Sequence, residues 1–209
     1  MMRFLNQAVF KPTHEAMKAL RGLLAQAGML KEMDLFLYHG IEDPFFYLLF
    51  TQLYDFKIVN DSVIPREDAG CCLFATNHQS ILDPIISGLA IVHNSRRVAW
   101  QLTKAELFDH PLFGTFVAAN QTIPIRRGEN DQEALQRCLD EMMLHNRPVL
   151  VYPEGTYGPG GGVFLPFKTG IARLAWDAQV PVIPMAMHGQ DKILPKEDFK
   201  QFKTTGEKL

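Results

Sequence analysis

Five short apolar runs alternate with amphipathic, helix-like stretches, and this alternation constrains the fold more than any other feature of the chain. Residues 71–76 (CCLFAT), 97–102 (RVAWQL), 121–126, 149–152 and 182–187 are strand-length. Between them lie helical patterns. Residues 84–92 follow Asp83 at the N-cap position, with Pro84 as the first helical residue. Residues 131–145 carry the stripe Leu135, Cys138, Leu139, Met142 and Met143, and a third helix starts near Thr169. Residues 104–118 read as a loop or short helix broken by Pro111 and Gly114. Short buried strands alternating with helices predict an α/β domain with a mostly parallel sheet flanked by helices.

The N-terminal part differs. Ala16, Leu20, Leu23, Ala27 and Leu30 recur at helical spacing, so residues 14–30 are expected to form an amphipathic helix with Thr13 as its cap. A second, very apolar helix is expected over 44–54, after Gly40 and Asp43-Pro44. Crossing a bilayer takes roughly 20 apolar residues, and neither stretch supplies them. The division expected is therefore 1–56, N-terminal helices, and 57–209, the α/β domain. The first 40 residues hold a local excess of two positive charges, whereas 41–190 hold an excess of five negative ones. Two readings of the first helix follow. It packs on the core, or it anchors to a membrane surface with Lys11, Lys18, Arg21 and Lys31 near headgroups.

Hydrophobic content of 47% and charged content of 21% are those of a globular protein, which excludes disorder. A net charge of −2 argues against nucleic acid as a partner. The cysteines number three, and Cys71 and Cys72 are adjacent, so successive side chains of a strand would point apart; a reducing compartment is expected. Metal-ligand spacing is absent, and no metal is expected. Met1 to Phe10 lacks the apolar run of a signal peptide.

The chemistry-bearing residues sit where strands end, the usual place for ligands in open α/β sheets. Asn77-His78-Gln79-Ser80-Ile81-Leu82-Asp83 follows the first run. His78 is the natural general base, and Asp83 is either its orienting partner or only a helix cap. Tyr152-Pro153-Glu154-Gly155-Thr156 follows another strand and opens a glycine-rich loop. There Glu154 binds acceptor hydroxyls, structures the site, or belongs to a plain turn. Lys168, near a helix start, is a candidate phosphate ligand. Arg126-Arg127 is either a solvated turn or a phosphate clamp.

Together these segments resemble the 1-acyl-glycerol-3-phosphate acyltransferase family, the lysophospholipid acyltransferases. The resemblance rests on N-H-x-S-x-x-D (Asn77 to Asp83), an extended block ending in arginine (Arg127), P-E-G-T (Pro153 to Thr156) and V-P-V-I-P (Val180 to Pro184). It extends to K-A-E-L from Lys104 and F-K-T-G from Phe167, all in family order. Two positions depart from it. Arg126 stands where the family usually has an acid, and Tyr157-Gly158 opens a longer glycine loop, Gly158 to Gly162, where it usually has Arg or Ser.

The resemblance implies a glycerolphosphate acyltransferase-like fold and catalytic residues His78, Asp83 and Glu154. It also implies substrate contacts from Asn77, Ser80, Lys104, Arg127, Gly155, Thr156 and Lys168. The expected reaction moves a fatty acyl group from coenzyme A or acyl carrier protein to the hydroxyl of a lysophospholipid, foremost lysophosphatidate, with no cofactor beyond the thioester co-substrate. Backbone N–H groups near Gly155 are candidates for the oxyanion hole. The expected location is the cytoplasmic side of a membrane, peripheral or monotopic. No G-x-S-x-G is present, which counts against a serine esterase or thioesterase. The rival from another class is a catalytically weak lipid-binding protein of the same fold, against which His78, Asp83 and Glu154 argue.

Overall fold

The computed structural model describes residues 11–66, 68–110, 114–126, 128 and 131–194. Five strands form one parallel sheet: β1 (Leu73–Thr76), β2 (Trp100–Lys104), β3 (Thr122–Ile125), β4 (Val149–Val151) and β5 (Val182–Met185), in the order β3-β2-β4-β1-β5. β1 and β4 lie inside the sheet and are almost wholly buried, as their unbroken apolar sequences require.

Alternate residues serve opposite faces. Leu73, Val149 and Val151 pack with Cys138 and Met142 of helix α6 (Gln132–Met143) and with Leu174 and Ala178 of α7 (Gly170–Ala178). Phe74 and Leu150 pack on the other side with Ile91 of α4 (Asp83–Ser95). The α6 stripe is turned slightly from its expected position. Ala134, Cys138 and Met142 are its buried line, and Met143 is exposed. β2 begins three residues later than the run at 97–102 suggests. Arg97 is buried, its guanidinium donates to the carbonyls of Gly70 and Asn146, and its backbone N–H donates to Ser95 Oγ at 3.1 Å instead of to a neighbouring strand.

The N-terminal part is three helices. α1 (Lys11–Gln26) already includes Thr13, which therefore is not its cap, and it stops before Gly28, whose φ is +71°. The turn there starts a separate helix, α2 (Leu30–Leu37), where one continuous helix was expected to end. The Arg21 guanidinium closes the pair by donating to both carboxylate oxygens of the buried Asp34. A π-helical turn, Tyr38–Glu42, leads into α3 (Asp43–Leu53). One face of α3 is in the core: Phe50 packs with Ile86 and Leu89 of α4, and Phe46 and Tyr47 border the same cluster. The other face is open, with Phe45 and Leu48 exposed, as are Leu20 and Leu23 of α1. The apolar stripe of α1 thus points outward. Short helices α5 (Gly114–Ala119) and α8 (Gln190–Ile193) complete the layers. Among the described residues no helix is long and apolar enough to cross a membrane.

Candidate active site

Sheet register explains why distant segments meet. Ala75 of β1 lies opposite Val151 of β4. The residues leaving those two carboxyl ends, Asn77 to Asp83 and Pro153 to Thr156, therefore emerge side by side. The joint is direct: the His78 backbone N–H donates to Glu154 Oε1 at 2.7 Å. Glu154 Oε2 accepts from the Leu165 N–H at 2.8 Å. Glu154 is 2% exposed, so each oxygen is held by backbone in an enclosed place. Of the roles open to it, this geometry supports structuring the site rather than direct catalysis.

Asp83 is the first residue of α4, with Leu82 in the cap position, so the expected N-cap role is not its own. Its carboxylate turns back over the preceding loop. Oδ2 accepts from the N–H of Gln79 at 2.5 Å and of Ser80 at 2.9 Å, and lies 2.8 Å from His78 Nδ1. Asp83 is 0% exposed. A carboxylate so placed accepts a hydrogen bond from the Nδ1–H, which fixes that tautomer and leaves Nε2 as the basic nitrogen. Two backbone donors fix the carboxylate before any substrate arrives, and preorganised groups do not have to be oriented during the reaction. Asp83 Oδ1 is buried with no hydrogen-bond partner among the described residues. His78 itself is 5% exposed.

The sequence reading assigns no role at His78 to Tyr152 or Tyr157, the two aromatic residues around it. Tyr152 stacks on the imidazole at 4.2 Å between centroids, and Tyr157 meets it edge-on at 5.1 Å. The Tyr152 hydroxyl lies 2.9 Å from Ser87 Oγ, which donates to the Asp83 carbonyl at 2.6 Å. Burial of that hydroxyl pushes it well above the usual phenol range, so it stays neutral. The available signal was position: Tyr152 directly precedes Pro153-Glu154 and ends a strand beside His78.

The remaining expected residues divide. Asn77 and Ser80, expected to touch substrate, instead tie loops. The Asn77 amide donates to the Met187 carbonyl at 3.0 Å and accepts from its N–H at 2.7 Å. Ser80 Oγ donates to the Leu194 carbonyl at 3.2 Å. The Gly155 N–H already donates to the Tyr152 carbonyl at 2.9 Å, which removes it as an oxyanion donor. Gly155 has φ +70°, and a Cβ there would lie 2.7 Å from Lys168 Nζ. The exposed Lys168 thus lays its amine across Gly155, beside the exposed Thr156. Lys104 pairs with Glu106 at 3.2 Å at the end of β2, which β4 separates from β1. Arg127 lies outside the described residues. Arg126 donates its N–H to Asp131 at 3.0 Å, with Nε 3.4 Å from the same oxygen, next to the Asp131 cap of α6.

Burial pushes the Cys72 thiol up to about 11 and that of Cys138 up to about 12, and raises that of Cys71. None of the three is a thiolate nucleophile at neutral pH. The arrangement can do one thing well: take a proton from a hydroxyl at His78 Nε2 and return it.

A family model described as Acyltransferase matches residues 55–188. A 1-acyl-sn-glycerol-3-phosphate acyltransferase of Helicobacter pylori is 34% identical over 146 residues, covering 69% of this chain and 60% of the relative. The human 1-acyl-sn-glycerol-3-phosphate acyltransferase beta is 36% identical over 122 residues, covering 57% of this chain and 42% of the relative. The chain therefore spans about half the length of these curated relatives. The crystal structure of the 1-acyl-sn-glycerophosphate (LPA) acyltransferase PlsC from Thermotoga maritima is similar with a TM-score of 0.60 and 20% identity, over 93% of this chain and 74% of that one. That likeness establishes the parallel sheet with flanking helices as a shared fold.

Proposed function

The chain belongs to the acyltransferase family, and on that premise we propose that it transfers a fatty acyl group from a thioester to the free glycerol hydroxyl of a lysophospholipid. Lysophosphatidate is the foremost acceptor, and coenzyme A or acyl carrier protein carries the donor. The single observation that carries the reading is the buried His78–Asp83 pair, 2.8 Å apart, with the carboxylate held by two backbone N–H groups. His78 Nε2 takes the hydroxyl proton as the oxygen attacks the thioester carbonyl carbon. Asp83 stabilises the imidazolium that forms. The tetrahedral intermediate collapses, the C–S bond breaks, and the departing thiolate takes the proton back from Nε2. Ester and thiol are the products, and no covalent enzyme intermediate is required. Lys168 receives the acceptor phosphate, with Arg127 as a second ligand; the exposure of its amine beside Gly155 supports this.

The place of action is the cytoplasmic side of a membrane, held peripherally. The exposed apolar side chains of α1 to α3, Leu20, Leu23, Phe36, Phe45 and Leu48, support contact with a membrane surface. A radiolabelled acyl thioester offered with a panel of lysophospholipids tests the reading. Transfer to at least one acceptor, lost in His78→Ala, is expected. A folded protein that acylates none of them refutes it.

A further inference from the structure

The segment that runs from the departing glycine loop, Gly158 to Gly162, on to Phe167 has exposed apolar side chains and a backbone held firmly at its base. The Gly158 N–H donates to the His78 carbonyl at 2.7 Å, and the Gln79 amide donates to the Val163 carbonyl at 3.0 Å. Gly161 N–H donates to Asp191 at 2.7 Å, and Leu165 N–H to Glu154 at 2.8 Å. Side chains on a loop pinned this closely would be expected to fold inward if burial were their purpose. Val163, Phe164 and Phe167 are instead 57%, 57% and 63% exposed, with the two rings edge to face at 6.3 Å. Such a cluster on a soluble surface marks a contact with something apolar.

Its surroundings identify the chemistry of that contact. From Gly155 to Trp176 the chain holds Lys168 and Arg173 and no acidic residue, within a region, 41–190, whose balance is negative. Aromatic residues beside basic ones are the composition of an interfacial element that meets anionic headgroups. α8 links the loop to the packed side of α3: Asp191 holds Gly161, while Ile193 borders the Phe50 cluster. The His78 loop is tied to both the glycine loop and the end of α8, since Gly158 donates to the His78 carbonyl and Ser80 to that of Leu194.

We infer that the Gly158 to Phe167 loop is a second bilayer-inserting element, separate from the N-terminal helices, which seats the mouth of the His78 site on an anionic membrane surface. This rests on the lipid-acceptor reading of the site. The occupant is the bilayer itself: the rings enter the acyl boundary and Lys168 and Arg173 stay at headgroup level.

The test uses the full chain and vesicles of phosphatidylcholine with or without phosphatidylglycerol. F164W emission, read against the Trp100 and Trp176 background of the wild type, should shift to the blue on adding the anionic vesicles and be quenched by brominated acyl chains. V163S/F164S should lower vesicle partition roughly tenfold. The same variant should keep its rate on a short-chain, monodisperse lysophosphatidate and lose it on the vesicle-borne acceptor. Unshifted F164W emission with vesicles that sediment the protein overturns the inference. So does a shift that follows protein concentration without vesicles, which would mark a second copy, and so does an equal loss of rate on both acceptors, which would mark a substrate-lining role. Partition and quenching need no acyl transfer, so the failure of the loop assignment is distinguishable from failure of the proposed reaction.

Discussion

Tyr152 lies flat against His78, 4.2 Å between ring centroids, while its hydroxyl reaches Ser87 and through it the Asp83 carbonyl. One side chain thus supports the imidazole face and the helix turn that carries its carboxylate partner. Tyr152→Phe keeps the stack and loses the hydroxyl bonded to Ser87 and Gln101, and its stability should fall by about 0.5–1.5 kcal/mol per hydrogen bond lost, with little change in turnover. Tyr152→Leu removes the stack, and kcat should fall about ten- to a hundredfold with the acceptor KM nearly unchanged. Equal kinetics for the two variants would remove the ring from any positioning role.

His78→Ala and Asp83→Ala should separate chemistry from support. Loss of the base should lower turnover by roughly 10²–10⁴-fold while the melting temperature stays close to wild type. Loss of the carboxylate leaves the Gln79 and Ser80 N–H groups buried without an acceptor, at about 1–3 kcal/mol each, so Asp83→Ala should also melt markedly earlier. Calorimetry with a transfer assay reads both. An Asp83→Ala protein as stable as wild type would contradict the anchoring described here.

Gly155 and Lys168 should behave as a unit. Gly155→Ala puts a methyl at 2.7 Å from the Lys168 amine and forces a left-handed φ on alanine, a strain of about 1–2 kcal/mol. Lys168→Ala should raise the acceptor KM more than the donor KM, because a lost phosphate contact acts on binding. Gly155→Ala should do the same, and the double variant should be little worse than either single one. Independent, multiplying effects would place Lys168 elsewhere during turnover.

The Asp131 carboxyl is held below the usual carboxylate range, first by the Arg126 N–H and then by the Ala134 N–H. A depressed carboxylate contributes stability above its unfolded value, and that contribution is lost as pH falls through the lower folded value. Asp131→Asn keeps a cap acceptor and loses the charge. The wild type should therefore melt above the variant near neutrality and converge with it in acid. The same pair bears on Arg126. Arg126→Asp would meet Asp131 with a like charge and should loosen the start of α6 while changing acceptor KM little.

Much of this site was legible because strand ends and short motifs are local. Asn77 to Asp83 and Pro153 to Thr156 could be read as strand-to-helix junctions, and the sheet register then brings them together. What could not be read depends on which way a side chain turns. Asp83 has the residue type and position of a cap, yet its carboxylate serves the loop behind it. Arg97 sits in an apolar run that resembles a strand, and only the loops at Gly70 and Asn146 explain its burial. Asn77 and Ser80 look like substrate ligands in a motif, but their partners, Met187 and Leu194, are more than a hundred residues away. In the N-terminal part, Gly28 marks a turn that the continuing apolar spacing through Leu30 concealed.

The cluster of Phe50, Ile86 and Leu89 joins the N-terminal helices to the helix whose first residue is Asp83. Foot and catalytic support are therefore parts of one packed layer, and the height of the histidine above whatever α3 rests on is set by side-chain volume. Lengthening or trimming a residue in that layer would raise or lower the reacting nitrogen relative to the surface. Under the proposed function, with α3 resting on a bilayer, this layer would act as a vertical gauge: a hydroxyl would be acylated when its depth in the headgroup region coincides with that height.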